Sequence, residues 1–217
     1  MISLHPVSID DIPTLARIHD EAFADDALMH LLYRLPERNP NLEKDLREWF
    51  LGSKTARFVK AVDDSTGDVL GWACWSLYLD GETHAAEEAA AAERHKTAPE
   101  VAISPALFFD YHRAVAKRRG KWITGKPASI LQILTVDPKF QGRGAGAALV
   151  RAALQEADRH HVPAWLEASP AGLPLYRKCG FRDVGESIDF DLSEYGAQGD
   201  VRAVCMMYEK IANGKAQ

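Results

Sequence analysis

Val136-Asp137-Pro138-Lys139-Phe140-Gln141-Gly142-Arg143-Gly144-Ala145-Gly146 is the stretch from which the rest of the chain can be read. It follows Ile130–Val136, a nearly continuous apolar run that predicts a strand buried on both faces. It leads into Gly146, Leu149, Val150, Ala153, Leu154 and Ala157, which fall at i, i+3, i+4, i+7, i+8 and i+11 and predict a helix. Gly142, Gly144 and Gly146 alternate in the turn between the two. Without side chains the backbone can approach a ligand closely, and the amides of the first helical turn have no partner inside the helix. With the helix dipole they make an anion site suited to phosphate; the alternative is a flexible turn that holds nothing. A P-loop requires Gly-Lys followed by Ser or Thr, which this loop lacks, so a nucleoside triphosphate is disfavoured. Gly142, Gly144 and Ala147 match the dinucleotide fingerprint, and Glu167 stands about where a ribose-binding acid belongs. Against that match, Asp137–Gln141 separate the glycines from their strand, and the chain beyond the loop lacks repeated parallel strand–helix units.

Downstream, Ala164–Ala168 predicts a short strand, Leu173–Lys178 a short helix stopped by Gly180, and Arg182–Asp191 and Val201–Glu209 two more strands. Upstream, Ile2–Val7 predicts a strand and Ser8 with Asp11 a capping signal before a helix carrying Leu15, Ile18, His19 and Ala22. Further helices are expected at Ala27–Leu35, stopped by Pro36, and at Leu42–Leu51, where Leu42, Leu46, Trp49 and Phe50 share a face. Arg57–Val62 and Val69–Leu79 flank the turn Asp63–Asp68 and predict a hairpin. Residues 80–128 differ in texture. Ala85–Lys96 is almost wholly Ala, Glu, Arg and Lys, and Ala106–Arg119 places Leu107, Tyr111 and Val115 at i, i+4 and i+8. Such a stretch is too short for an independent core, so it is expected to be a helical insertion between the third and fourth strands. The order predicts an α/β (α+β) chain with a mixed sheet, a single domain over residues 1–217.

The composition is that of a globular protein: 217 residues, 47% hydrophobic and 26% charged, with a formal net charge of −5. The acidic balance argues against a nucleic-acid binder, though it leaves room for a local basic pocket. Cys74, Cys179 and Cys205 are too few and too far apart for a disulfide framework or a cysteine-based zinc site. The eight histidines show no H-x-x-x-H pattern, so no metal is expected. The opening MISLHPVSIDDIP has neither a basic nor an apolar leader region, and no window reaches about 18 apolar residues. A soluble, cytoplasmic protein without membrane contact is expected, either a monomer or a homodimer.

Gln141-Gly142-Arg143-Gly144-Ala145-Gly146 resembles the Gln/Arg-x-x-Gly-x-Gly/Ala signature of the GNAT acetyltransferase superfamily. Leu175-Tyr176-Arg177-Lys178-Cys179-Gly180-Phe181 resembles its second hallmark, Leu-Tyr-x-x-x-Gly-Phe. The resemblance implies the acyl-CoA N-acyltransferase fold and acetyl transfer from acetyl-CoA to an amine, here a small molecule. It implies that Gln141, Gly142, Arg143, Gly144, Ala145 and Gly146 hold the CoA pyrophosphate. It implies further that the strand end at Leu134–Val136 pairs its backbone with the pantetheine arm, which enters a splay beside Ala164–Ala168. Tyr176 matches the general acid that protonates the departing thiolate, a reasonable transfer from a phenol of pKa near 10 to a thiolate of about 8.5 or more. The alternative for Tyr176 is an ordinary amphipathic tyrosine packed under the sheet.

Two positions depart from the family pattern. Ser169 stands where many members carry an Asn that touches the cofactor, and the resemblance implies that its hydroxyl partly takes over that contact; Ser129-Ile130-Leu131-Gln132 lacks the acid that some members use as the base. Candidate bases are Glu167, Asp25, Asp26, His30 and His112. Glu167 stands first because it sits beside the expected splay, with a salt-bridged strand end as the alternative. Lys117, Arg118, Arg119 and Lys121 read as a solvated helix end that complements the dipole, or else as a contact for the CoA phosphate or an acidic substrate. Rival functions are a non-catalytic CoA sensor and a longer-chain or O-acyl transferase.

Overall fold

The computed structural model describes residues 1–34 and 41–210. Among them are seven strands, β1 (Ile2–Pro6), β2 (Ala56–Asp63), β3 (Val69–Tyr78), β4 (Ala128–Val136), β5 (Ala164–Ala168), β6 (Arg182–Asp191) and β7 (Asp200–Tyr208). The helices are α1 (Ile12–Ala22), α2 (Ala27–Tyr33), α3 (Leu42–Gly52), α4 (Gly81–Arg94), α5 (Pro105–Trp122), α6 (Ala145–His160) and α7 (Leu173–Lys178). The expected order is present and the sheet is mixed. Its strand order is β1-β2-β3-β4-β5-β7-β6, with β4 and β5 parallel and every other neighbour antiparallel. The stop expected for α2 at Pro36 lies outside the described residues.

Alternation along β3 divides the core between the two faces of the sheet. Ala73, Trp75 and Leu77 pack with Leu149, Val150, Ala153, Leu154 and Ala157, the predicted apolar stripe of α6. Trp72 and Cys74 point the other way, into Ile12, Leu15, Ile18 and Leu46 of α1 and α3, and the Trp72 indole donates to the Leu15 carbonyl at 3.0 Å.

Two helices do lie between β3 and β4, at somewhat different bounds from those expected. Asp80 caps α4, accepting from the Thr83 amide at 2.7 Å, and Ser104 caps α5, accepting from the Leu107 amide at 3.3 Å. Each cap sits upstream of the first periodic apolar residue, so the α4 start at Gly81 escapes a reading based on composition. On α5, Leu107 and Phe108 pack with Leu31 and Leu32 of α2 and with Leu192. This cluster brings α5 over the end of the sheet where β4 and β5 part. No helix of the described residues is long and apolar enough to cross a membrane.

Candidate active site

The parting of β4 and β5 is written in their register. They pair only at Ser129–Ala164 and Ile130–Trp165, after which β5 continues against β7. On its other side β4 carries a bulge: Cys74 faces Ile133 and Trp75 faces Leu131, leaving Gln132 unpaired against β3. Beyond Ile130, Leu134 and Val136 therefore border an open wedge rather than a fifth-strand partner. A cleft of about 2250 Å³ runs through this wedge, lined at one end by Gln141, Gly142, Gly144 and Gly146 and at the other by α4 and α5.

The glycine loop is anchored before it reaches the cleft. Asp137, only 1% exposed, accepts from Arg17 of α1 at 3.0 Å, and its own amide donates to the Leu70 carbonyl at 2.9 Å. The Gln141 side chain then turns back and donates to the Val136 carbonyl at 3.3 Å. Arg143 lies over the Phe140 ring at 5.2 Å. Gly144, at φ +97°, is the N-cap of α6, a left-handed conformation that a side chain would strain. The first helical bond runs from the Ala148 amide to the Gly144 carbonyl, so the amides of Ala145, Gly146 and Ala147 precede the ladder. A Cβ at Gly142 or Gly144 would meet nothing within 4 Å, so the space over the loop is open. These features fit a diphosphate at the α6 N-terminus, and the donors are amides rather than cationic side chains.

Tyr176 sits on α7 at the cleft wall, its ring edge-on to Phe181 with centroids 6.0 Å apart. It is wedged over Gly172, where a Cβ would come within 2.7 Å of its Cε2. Burial, with a smaller effect from Cys179, pushes the phenol up to about 12, so it stays protonated at neutral pH. Ser169 also borders the cleft, and its hydroxyl accepts from the Gly172 amide at 3.3 Å, holding the turn that starts α7.

Glu167 faces the cleft as expected, but it adopts the salt-bridged alternative. Arg119 Nε lies 3.0 Å from Oε1 and Nη2 2.8 Å from Oε2, and the Trp165 indole donates to Oε1 at 2.7 Å. The side chains of Arg119 and Glu167 are 12% and 7% exposed. Burial by itself would raise the Glu167 carboxyl; the charge and hydrogen bonds of Arg119, helped by Trp165, hold it below the usual carboxylate range. A carboxylate so held is a weak proton acceptor. The expectation of a solvated helix end holds for Lys117 and Lys121, which are exposed, and is corrected for Arg119, which turns inward and also reaches Glu88 Oε1 at 3.4 Å and Gln132 Oε1 at 3.5 Å. Arg118 donates to the Ser187 carbonyl at 2.8 Å, and Lys121 pairs with Glu186.

His112 lines the cleft from α5, stacked on His95 at 3.6 Å and 3.4 Å from the Tyr33 hydroxyl. Burial, then His95 and Arg119, pushes it down to about 3, which leaves it neutral at neutral pH and a poor proton acceptor. Asp25 and Asp26 border the cleft too, and Asp26 is committed to capping α2 through the Met29 amide at 2.9 Å. His30 is not among the residues that line it. Glu87 and Glu88, which the sequence places in a polar helix without a marked face, border the cleft from α4. Their spacing carries no signal of it; only the caps and the packing of α4 on β3 turn that face inward. Among the described residues no group of three or more His, Cys, Asp or Glu could hold a metal.

Comparison with known proteins bears on this geometry. Residues 120–195 match the family model of the acetyltransferase (GNAT) domain. Arylalkylamine N-acetyltransferase 2 from Aedes aegypti superposes with a TM-score of 0.66 at 14% identity, over 96% of this chain and 98% of that one. Polyamine N-acetyltransferase from Drosophila melanogaster gives 0.67 at 12% identity, over 96% and 100%. A histone acetyltransferase HPA2 and related acetyltransferase from Corynebacterium glutamicum gives 0.61 at 18% identity, over 98% of both chains. At such identities the superpositions speak for the fold, and the match over 120–195 takes in the glycine loop, the wedge and α7. The chain thus carries a stretch similar to the GNAT acetyltransferase domain, which takes in the anchored loop and α7, within a fold shared with those N-acetyltransferases.

Proposed function

We propose that the protein transfers an acetyl group from acetyl-CoA to a small-molecule amine by direct attack on the thioester. The observation that carries this reading is the continuity of the cleft, from the free amides at the α6 N-terminus, through the wedge between β4 and β5, to Tyr176. In this reading Gln141, Gly142, Arg143, Gly144, Ala145 and Gly146 receive the pyrophosphate, and the exposed edge of β4 at Leu134 and Val136 receives the pantetheine arm. Ser169 acts through Gly172 by fixing the turn under Tyr176. The fold is shared with enzymes named for arylalkylamines and polyamines, which supports an amine acceptor.

An alkylammonium of pKa about 10.4 is neutral in roughly one molecule in 2,500 at pH 7, so it must lose a proton before it can attack. The free amine then forms the C–N bond as the thioester C–S bond breaks. Tyr176 gives its proton to the thiolate and recovers one from the attacking nitrogen through the open cleft, and the first ammonium proton leaves to solvent. Glu167, held by Arg119, serves as a fixed counter-charge rather than as the base.

A thiol-release assay with acetyl-CoA and a panel of amines tests the reading. Tyr176→Phe is expected to lower kcat by roughly 10²-fold or more with little change in the KM for acetyl-CoA. Tight CoA binding with no turnover across the panel would instead identify a sensor.

A further inference from the structure

Three carboxylates meet at the end of the wedge: Glu87, Glu88 and Glu167 all line the cleft. Among the described residues the only cation that any of them contacts is Arg119. Glu167 takes both of its oxygens' bonds from Arg119 and Trp165, and Glu87 takes its bonds from the neutral hydroxyls of Thr55, at 3.0 Å, and Tyr78, at 3.2 Å. Glu88 is different. Its side chain is only 16% exposed, Oε1 stands 3.4 Å from Arg119 Nη1, and Oε2 has no partner among the described residues. Other cations border the cleft but are engaged or outside: Lys96 pairs with Glu93, Arg113 with Asp110, and Arg94 and Lys117 are solvent-exposed. The pocket end therefore holds more negative than positive charge, and the free Glu88 oxygen opens to the cleft, where a cationic ligand can reach it. Arg119 Nη2 also reaches Gln132 at the β4 bulge, so one guanidinium fixes Glu88 relative to the wedge.

We infer that Glu88 is the specificity-determining residue that receives the ammonium group of the acceptor, with its unpartnered oxygen as the contact. The inference rests on the acetyl-transfer reading above and deepens it by assigning the charge that the acceptor site selects. Phe23, Tyr33, Trp49, Phe109 and Tyr111 also line the cleft, so it offers aromatic surface to an apolar stem attached to the ammonium. The arrangement discriminates against acceptors that present a hydroxyl, because a neutral group leaves the excess charge unmatched.

Calorimetry on the CoA-bound protein tests this with phenethylammonium and its neutral analogue 2-phenylethanol. The intact protein is expected to prefer the ammonium, and Glu88→Gln to weaken it by roughly 10- to 100-fold, the range of a lost charged hydrogen bond, while the alcohol and CoA are unaffected. Should Glu88→Gln also lose CoA affinity, Glu88→Asp, which keeps the charge but withdraws it by one methylene, must show the ammonium loss with CoA binding intact. Equal ammonium affinity in the variant, or no ammonium binding to a protein that binds CoA, overturns the inference alone. A protein that binds no CoA overturns the transfer reading, and the inference with it.

Discussion

Gly172 shows how much a single hydrogen can carry. Its φ of −81° and ψ of −24° suit any residue, so the reason for glycine here is contact: a Cβ would stand 2.7 Å from Tyr176 Cε2 and push the ring out of its place on the cleft wall. Gly172→Ala is expected to cost roughly 1–3 kcal/mol from overpacking, with no offset from helix propensity, because Gly172 is the N-cap of α7, where glycine is preferred to alanine. Stability is expected to fall by that amount and kcat to fall as well, because in the proposed mechanism the displaced ring carries the acid. Urea unfolding set beside steady-state kinetics reads the two effects separately. Equal kcat in the variant would show that the position of Tyr176 does not govern the rate.

At the scale of elements, the tie between α5 and β5 is the Arg119–Glu167 pair. The folded Glu167 carboxyl lies below its ordinary value of 4.5, so its contribution to stability is full above that pH and is lost as pH falls through the depressed value. Breaking one side of a buried pair costs about 3–5 kcal/mol, and Glu88 remains to hold Arg119, so Glu167→Gln is expected toward the lower end. Chemical denaturation at pH 7 and again below pH 4 checks the sign: the gap between the intact protein and the variant should narrow in acid. A gap that widens there would contradict the assignment of a depressed carboxyl. The same pair explains why α5 belongs to the site. Its apolar residues Leu107 and Phe108 pack on α2, and Arg119 near its C-terminal end turns into the wedge while Lys117 and Lys121 face solvent.

For the whole molecule, the cleft joins parts that are far apart in sequence: α1, α2, α4, α5, the glycine loop and α7 all contribute walls. A ligand that fills it bridges those parts in the folded state and has nothing to bind in the unfolded one. CoA at about 100 times its Kd is expected to stabilise the fold by about 2.7 kcal/mol. For a chain of this size that corresponds to a rise of roughly 5–10 °C in Tm, measurable by calorimetry. No rise at saturating CoA would contradict the assignment of the loop and wedge as its site. In the proposed binding mode the formal charge of −5 needs no local basic patch, because backbone amides and the helix dipole would receive the diphosphate.

Local pattern determined a large part of this protein. The apolar run before the glycines, the i, i+3, i+4 stripe of α6 and the alternation of the hairpin are short-range signals, and each element they predict is present within a few residues. The glycine loop and Tyr176 could be named from their motifs because their chemistry depends on residue type at fixed spacing. Glu167 could be placed at the wedge by alternation, but its bond to Arg119 could not, since the two are separated by 48 residues and meet only when α5 packs over β5. Glu87 and Glu88 were less legible still, lying in a stretch of Ala, Glu, Arg and Lys whose faces look alike until α4 docks against β3. Sequence determined which elements form and where the glycine loop before α6 lies, because hydrogen-bonding and turn chemistry are local. Tertiary structure alone decided which charges share the cleft, because desolvation and ion pairing act between residues that only folding brings together.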